Sequence, residues 1–181
     1  MAINAYLLEN NRRLVLRDYS YIDYLGVPFV DKPSMHSSLQ LAISHTRPVL
    51  LIRHPLSQYN SLRSHEILRN QLSPTLFIKG YQSFLEHFKE ARMIKYEEIV
   101  SHPVITLSYL CDYLDLPFSD NFINEFYNNR TITGNFNRIN EKTISFSKQP
   151  MIEDEWSDQL QNDAQYQPLL ETLGYAEMSI A

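Results

Sequence analysis

Four uninterrupted apolar residues, Val49–Ile52, stand directly before an Arg-His-Pro sequence. A strand without polar residues is typical of the interior of a parallel sheet, where both faces are covered. Pro55 and Ser57 suit the first turn of a helix, which we expect to continue to about Arg69. Arg53 is thereby placed between the carboxyl end of a strand and the amino end of a helix. The stretch therefore predicts a strand–turn–helix unit that carries a guanidinium at its turn.

Such a turn has the chemistry of an anion site. At the amino end of a helix, the free N–H groups and the positive end of the helix dipole favour negative charge. Arg53 can donate a pair of N–H bonds to a phosphate, and Ser61 supplies a hydroxyl one helical turn beyond Ser57. We therefore predict that Arg53 and Ser61 bind a phosphate group.

Two further apolar segments, residues 14–16 and residues 92–96, are predicted to form strands. The first is followed by a polar and aromatic loop, and loops at the carboxyl ends of parallel strands are where such folds place their chemistry. A helix that begins at Pro74 is predicted to bury one aromatic face, made of Phe77, Tyr81, Phe84, Leu85 and Phe88. The pattern predicts an α/β fold with a short parallel sheet.

The composition limits the class of protein. The 181 residues, of which 44% are apolar and four are glycine, predict one compact domain over residues 1–181. A net charge of −5 argues against a nucleic-acid surface, so an anionic ligand needs a local basic pocket. The six histidines lack paired ligand spacing, and the single Cys111 excludes a thiolate zinc cluster and an internal disulfide. Without a secretory pattern or a membrane-length apolar run, the sequence predicts a metal-free cytoplasmic protein.

Arg53 and, eight positions later, Ser61 resemble the motif with which PAPS-dependent sulfotransferases hold the 3′-phosphate of their nucleotide. Residues 93–99 and 110–118, MIKYEEI and LCDYLDLPF, are similar to the family's strand, its "YED"-type turn and its helix ending in "LGLPF". The segment from Trp156 to Tyr175 is similar to the close of bacterial members. The resemblance implies a three-layer, P-loop-NTPase-like sulfotransferase fold with a short parallel sheet, here truncated at its amino terminus.

The resemblance also implies a co-substrate, PAPS, and its product PAP. Tyr96 matches the residue that contacts the adenine. An "SGN"-like turn and a basic residue close over the nucleotide in bacterial members, and their nearest matches are Thr133, Gly134 and Lys148. Arg138 or Lys142 could equally take the basic role.

On the acceptor side, the family has a strand that ends in a basic residue, with a general-base histidine two positions on. Arg17 matches the basic residue, but Tyr19 stands in place of the histidine. A phenol, whose pKa is about 10, is a poor base at neutral pH, so Asp18 or Asp23 could substitute. Alternatively, the tyrosines of this loop only shape a pocket. For the acceptor, the resemblance implies a pocket that includes Tyr21, Phe29 and His36.

One motif of the family has no counterpart, since nothing in residues 1–16 resembles its P-x-S-G-T loop for the 5′-phosphosulfate. Three explanations stay open: the protein is longer at its amino terminus, another chain or a second copy supplies the loop, or catalysis has been lost. The sequence therefore supports two hypotheses. One is transfer of a sulfuryl group from PAPS to a hydroxyl or amine of a small-molecule or glycan acceptor. The other is a catalytically inactive, sulfotransferase-like nucleotide-binding or interaction protein.

Overall fold

The computed structural model describes residues 7, 9, 10, 12, 14–17, 46–128, 143–145 and 154–175, except for the side chains of residues 67 and 127. The chain divides into two compact units. The helical unit comprises Met1–Pro48, Pro55–Ala91 and Met151–Ala181, and the strand unit comprises Val49–His54 and Arg92–Pro150. That residues 1–181 form a single domain stays a prediction.

Among the described residues from Val49 onwards, two short strands are separated by three helices and followed by further helices. Their order is β1 (Val49–Ile52), α1 (Pro55–Arg63), α2 (Glu66–Arg69), α3 (Pro74–His87), β2 (Arg92–Lys95), α4 (Tyr96–Ser101), α5 (Pro103–Leu114), α6 (Phe122–Glu125), a 3-10 helix (Phe126–Asn128), α7 (Glu155–Gln161) and α8 (Tyr166–Thr172). Among these described helices, none combines the length and the apolar character needed to cross a bilayer.

Within the described part of the chain, the sheet of the strand unit consists of β1 and β2, which pair in parallel. Val49 lies opposite Arg92 and Ile52 lies opposite Lys95. Leu50, Ile52 and Ile94 are buried, whereas Leu51 is exposed, so β1 is covered less completely than its apolar run suggests. The predictions of a strand at each of these two segments are confirmed, as is the short parallel sheet.

The strand predicted at residues 14–16 is wrong. Residues 14–17 have irregular backbone, and Leu14, Val15 and Leu16 are all exposed. A strand exists only through its ladder of hydrogen bonds to a neighbour, and a run of three residues offers few of them. An apolar run this short predicts a strand only weakly because it carries no periodicity.

The helix predicted from Pro55 to about Arg69 is interrupted. It ends at Arg63, and a separate short helix, α2, covers Glu66–Arg69. At the break, Ser64 Oγ donates to the carbonyl oxygen of Ser61 at 2.7 Å, and His65 has extended backbone with φ −78° and ψ 130°. A hydroxyl that bonds to a nearby carbonyl offers the backbone an alternative to the helix.

The core of the helical unit is built around the aromatic face predicted for α3, whose four rings are buried and whose Leu85 is half-buried. Ring centroids of Tyr59, Phe77, Tyr81, Phe84 and Phe88 follow one another at distances of 5.1–6.2 Å in tilted or edge contacts. Such geometry is the favourable one for aromatic pairs and adds to the free energy of burying their area. Helices α7 and α8 pack against this face and contribute the buried residues Leu160, Tyr166 and Leu169.

A partly buried ion pair joins two segments of the helical unit that are far apart in the sequence. Arg63, only 5% exposed, donates from its two terminal nitrogens to the Asp154 carboxylate at 2.8 and 2.7 Å. Its Nε donates to the carbonyl oxygen of Arg69 at 3.1 Å, and its guanidinium lies 5.3 and 4.9 Å from the ring centroids of Tyr59 and Trp156. Each of the three guanidinium nitrogens thus donates a hydrogen bond within the fold, which makes Arg63 a structural residue.

Asp154 also begins α7, because its carboxylate accepts the backbone N–H of Ser157 at 3.0 Å. The hydrogen bond from Arg63 lowers the pKa of Asp154 to about 2, from a usual value of 3.8. The same bond raises the pKa of Arg63. The pair therefore stays charged over the whole physiological range.

We expect Arg63→Met to lower the free energy of unfolding by about 2–4 kcal/mol, because the carboxylate of Asp154 and the carbonyl of Arg69 lose their donor. Urea unfolding followed by circular dichroism measures the change. Lys89→Met is the matched control: it breaks the exposed Lys89–Glu86 pair, whose nitrogen–oxygen distance is 3.0 Å. That control should leave stability nearly unchanged, because an exposed ion pair contributes little to it. Equal losses in the two variants would contradict a stabilising role for Arg63.

The pKa of Asp154 also predicts a pH dependence of stability. Because folding lowers this pKa from 3.8 to about 2, the stabilisation is fully present above pH 3.8 and is lost as the pH falls towards 2. The Asp154 side chain is 35% exposed, so we expect solvent screening to reduce the loss to about 1 kcal/mol. Wild type and Asp154→Asn should converge in unfolding free energy between pH 5 and pH 2. A difference that does not change with pH would show that the charge of Asp154 is not involved.

Candidate functional site

The strand unit brings together two of the predicted nucleotide-binding residues. Arg53 directly follows β1 and Tyr96 directly follows β2, and the carboxyl ends of parallel strands lie at the same edge of a sheet. The guanidinium carbon of Arg53 lies 5.1 Å from the centroid of the Tyr96 ring. A cation at this distance is attracted by the electron-rich face of the ring, so Tyr96 holds the arginine at the sheet edge.

A second contact, one residue further along both segments, supports the same edge. The backbone N–H of His54 donates to Glu97 Oε1 at 3.0 Å, across a separation of 43 residues. The partners in the ladder from Val49/Arg92 to Ile52/Lys95 have the same separation. Side-chain contacts thus continue the register of the sheet for two more residue pairs after the backbone ladder has ended.

His54 lies between two charged groups of this edge, the guanidinium of Arg53 and the carboxylate of Glu97. His54 is 7% exposed, and burial is the main reason that its pKa is lowered from 6.5; the charge of Arg53 lowers it further, while Glu97 acts in the opposite direction. His54 is therefore neutral at neutral pH. Arg53, which is always charged in proteins, supplies the cation next to it.

Ser61, the other predicted phosphate ligand, lies in α1 of the helical unit. Its side chain is half-buried, and its carbonyl oxygen accepts the hydroxyl of Ser64 at 2.7 Å. Neighbouring residues fix the helix firmly: Tyr59 Oη donates to the carbonyl of Leu72 at 3.0 Å, and Ser157 Oγ donates to Asn60 Oδ1 at 3.3 Å. Ser61 thus stands on a well-anchored helix.

Most of the other predicted site residues lie outside the described residues. These are Asp18, Tyr19, Tyr21, Phe29, His36, Thr133, Gly134 and Lys148. Arg17 is described, and it lies exposed in irregular backbone. The assignments of these residues to the acceptor or the nucleotide stay predictions.

Glu97 lies in the segment that resembles the "YED"-type turn, but the sequence assigned it no role. It follows Tyr96 in the Tyr-Glu-Glu sequence that begins α4, where an acidic residue is ordinary because of the helix dipole. The useful signal is the register: once Ile52 is paired with Lys95, Glu97 falls opposite His54. Among the described residues, no group of three or more His, Cys, Asp or Glu side chains is placed to hold a metal ion.

Comparison with known proteins supports the fold. No protein-family model matches the sequence, and no curated protein matches it. Among solved structures, the chain is similar to a sulfotransferase domain from the curacin biosynthetic pathway, with a TM-score of 0.58 and 20% sequence identity. The match covers 96% of this chain and 67% of that domain's chain. The predicted fold class is confirmed: the protein has the α/β fold of a sulfotransferase domain, with a short parallel sheet.

Proposed function

We propose that the protein binds PAPS through the 3′-phosphate and transfers its sulfuryl group to a hydroxyl or amine acceptor. The observation that carries the proposal is the contact of Arg53 with Tyr96 at the carboxyl edge of the sheet. This edge is where open α/β folds bind their ligands. The sulfotransferase fold of the neighbouring structure supports the same reaction class.

Arg53 is the proposed ligand of the 3′-phosphate. A guanidinium contacts an aromatic ring through its face and a phosphate through the N–H groups in its plane, so one side chain can make both contacts. The Tyr96 ring restricts the rotamers of the arginine before the nucleotide binds, which lowers the entropy cost of binding. Ser61, on the helix that follows Arg53 in the chain, is the proposed second donor.

Tyr96 would also contact the adenine. Because the guanidinium of Arg53 lies over one face of the ring, a base would meet the opposite face, the ring edge or the hydroxyl. Thr133, Gly134 and Lys148 are proposed to close over the nucleotide. All three lie outside the described residues.

The reaction needs two further groups. The acceptor oxygen or nitrogen forms a bond to sulfur as the bond between sulfur and the phosphate oxygen of PAPS breaks, so PAP departs and the acceptor loses a proton. Arg17 is proposed to stabilise charge at the reacting centre, and Asp18 or Tyr19 to take the proton. Tyr21, Phe29 and His36 are proposed to line the pocket for a small-molecule or glycan acceptor.

A second candidate is a nucleotide-binding or interaction protein with this fold and no catalytic activity. The observation that favours it is Tyr19 at the position of the general base, because a phenol with a pKa of about 10 is a poor base at neutral pH. Incubation with PAPS and a set of phenol, alcohol and amine acceptors distinguishes the candidates. Release of PAP that depends on the acceptor supports the enzyme, and binding of PAP without turnover supports the module.

Calorimetric titration with 3′,5′-ADP and with 5′-AMP tests the proposed phosphate site. Wild type should prefer the bisphosphate, and Arg53→Ala should lose about 2–5 kcal/mol of its binding free energy, a weakening of at least about 30-fold. The affinity for 5′-AMP should change little, because 5′-AMP lacks the 3′-phosphate.

Arg92→Ala is the matched control for that titration. Arg92 also lies over a tyrosine, 4.8 Å from the Tyr109 ring centroid, but it stands at the amino end of β2. We expect this variant to bind both nucleotides as wild type does. Equal weakening by the two substitutions, or no preference of wild type for the bisphosphate, would contradict the proposal.

A further inference from the structure

The hydrogen-bond ladder of the sheet ends one residue before Arg53. The parallel pairing ends at Ile52 and Lys95, and residues 53 and 54 belong to neither β1 nor α1. A cation on such a connection would have a backbone free to rotate unless other contacts fix it. Its value as a phosphate ligand depends on that restriction, because displacing a binding group by about 1 Å can lower activity roughly 100-fold.

Glu97 supplies one such contact from the neighbouring segment. Its Oε1 accepts the His54 N–H at 3.0 Å, and this N–H belongs to the peptide bond that joins Arg53 to His54. His54 is 7% exposed, so an N–H at this place needs an acceptor from the protein. A carboxylate is a strong acceptor for an amide, and such charge-assisted bonds exceed neutral ones in strength.

The register of the sheet places both contacts against the segment that carries Arg53. Tyr96 and Glu97 are consecutive, and they face Arg53 and His54 with the separation of 43 residues that the ladder has. The ring acts on the side chain of Arg53, and the carboxylate acts on the backbone beside it. The two contacts together restrict both the backbone and the rotamer of the arginine.

We propose that Glu97 is a positioning residue for Arg53, which holds the His54 backbone so that the guanidinium lies over Tyr96 at the sheet edge. The placement of Arg53 follows from the structure alone. The consequence for nucleotide affinity rests on the proposed function, in which Arg53 binds the 3′-phosphate.

Three substitutions separate the acceptor, the charge and the reach of Glu97. Glu97→Gln keeps an oxygen at the same distance and replaces the charge-assisted bond by a weaker neutral one, so it should still hold the His54 N–H and keep Arg53 over the ring. Glu97→Asp keeps the charge on a side chain one methylene shorter, and Glu97→Ala removes the acceptor. Both substitutions should break the bond to the His54 N–H, so that Arg53 can move away from the Tyr96 ring.

The first measurement is the NMR signal of the Arg53 Nε–H group in the protein without ligand, assigned with Arg53→Lys. In wild type and Glu97→Gln, the Tyr96 ring should shift this signal upfield. In Glu97→Ala and Glu97→Asp it should move to the position found in Tyr96→Leu, where no ring is present. The Arg92 signal, over Tyr109, is the internal control and should stay constant in every folded variant. An Arg53 signal that keeps its wild-type position in Glu97→Ala would overturn the proposal.

The second measurement is the preference for 3′,5′-ADP over 5′-AMP in calorimetric titration. A displaced Arg53 should lower this preference about tenfold or more in Glu97→Ala and Glu97→Asp, with 5′-AMP affinity unchanged. Glu97→Gln should retain the preference. An equal loss of affinity for both nucleotides would indicate a structural role only and would overturn the positioning role.

The two measurements distinguish this proposal from the proposed function. If wild type shows no preference for the bisphosphate, the proposed function fails, and the NMR signal still decides whether Glu97 positions Arg53. If wild type and Arg53→Ala behave as expected while Glu97→Ala keeps the preference, the function stands and the positioning role fails. Should Glu97→Ala fail to fold, Glu97→Asp against Glu97→Gln gives the same decision.

Discussion

The parallel pairing of β1 with β2 is the constraint on which the candidate site depends. Each strand has four residues, and because the pair is parallel, the residues that follow both strands lie at the same edge of the sheet. Residues 53–54 and 96–97 are therefore neighbours although they are 43 positions apart in the sequence. A shift of the register by one residue would put Tyr96 and Glu97 opposite different partners, so the arginine, the ring and the carboxylate form one site only in this register.

The chain uses arginine in two contrasting ways. Arg63 is 5% exposed and directs its donors to Asp154 and to a backbone carbonyl, between two aromatic rings. Removing Arg63 would leave the Asp154 carboxylate without its partner, so Arg63 stabilises the fold. Arg53 lies on one ring at the edge of a sheet, where ligands of such folds bind. The same type of side chain thus stabilises the fold at Arg63 and, in our proposal, binds an anion at Arg53.

Strong local signals were enough to predict much of this architecture. The apolar runs at residues 49–52 and 92–95 and the aromatic face of α3 appear in the structure as predicted. The strand at 14–16 and the uninterrupted helix to Arg69 were wrong, because a three-residue run has no periodicity and the hydroxyl of Ser64 competes with the helical backbone. The role of Glu97 could not be predicted from the sequence, for a different reason. Its bond to His54 depends on a register that no single segment encodes.

The net charge of −5 sets a physical problem for the proposed nucleotide site. A nucleotide that carries several negative charges is repelled by the overall field, and screening leaves only groups within about 8–10 Å to attract it at physiological ionic strength. A single flexible arginine would lose about 2 kcal/mol of rotamer freedom on binding. The Tyr96 ring lies 5.1 Å from the guanidinium carbon of Arg53, and Glu97 accepts the His54 N–H at 3.0 Å. In our proposal, these two contacts restrict the arginine when the protein folds, before a ligand binds. Burial keeps His54 neutral, so it adds no positive charge of its own. In our proposal, an acidic protein of this fold therefore binds its anion through a short-range, preorganised arginine.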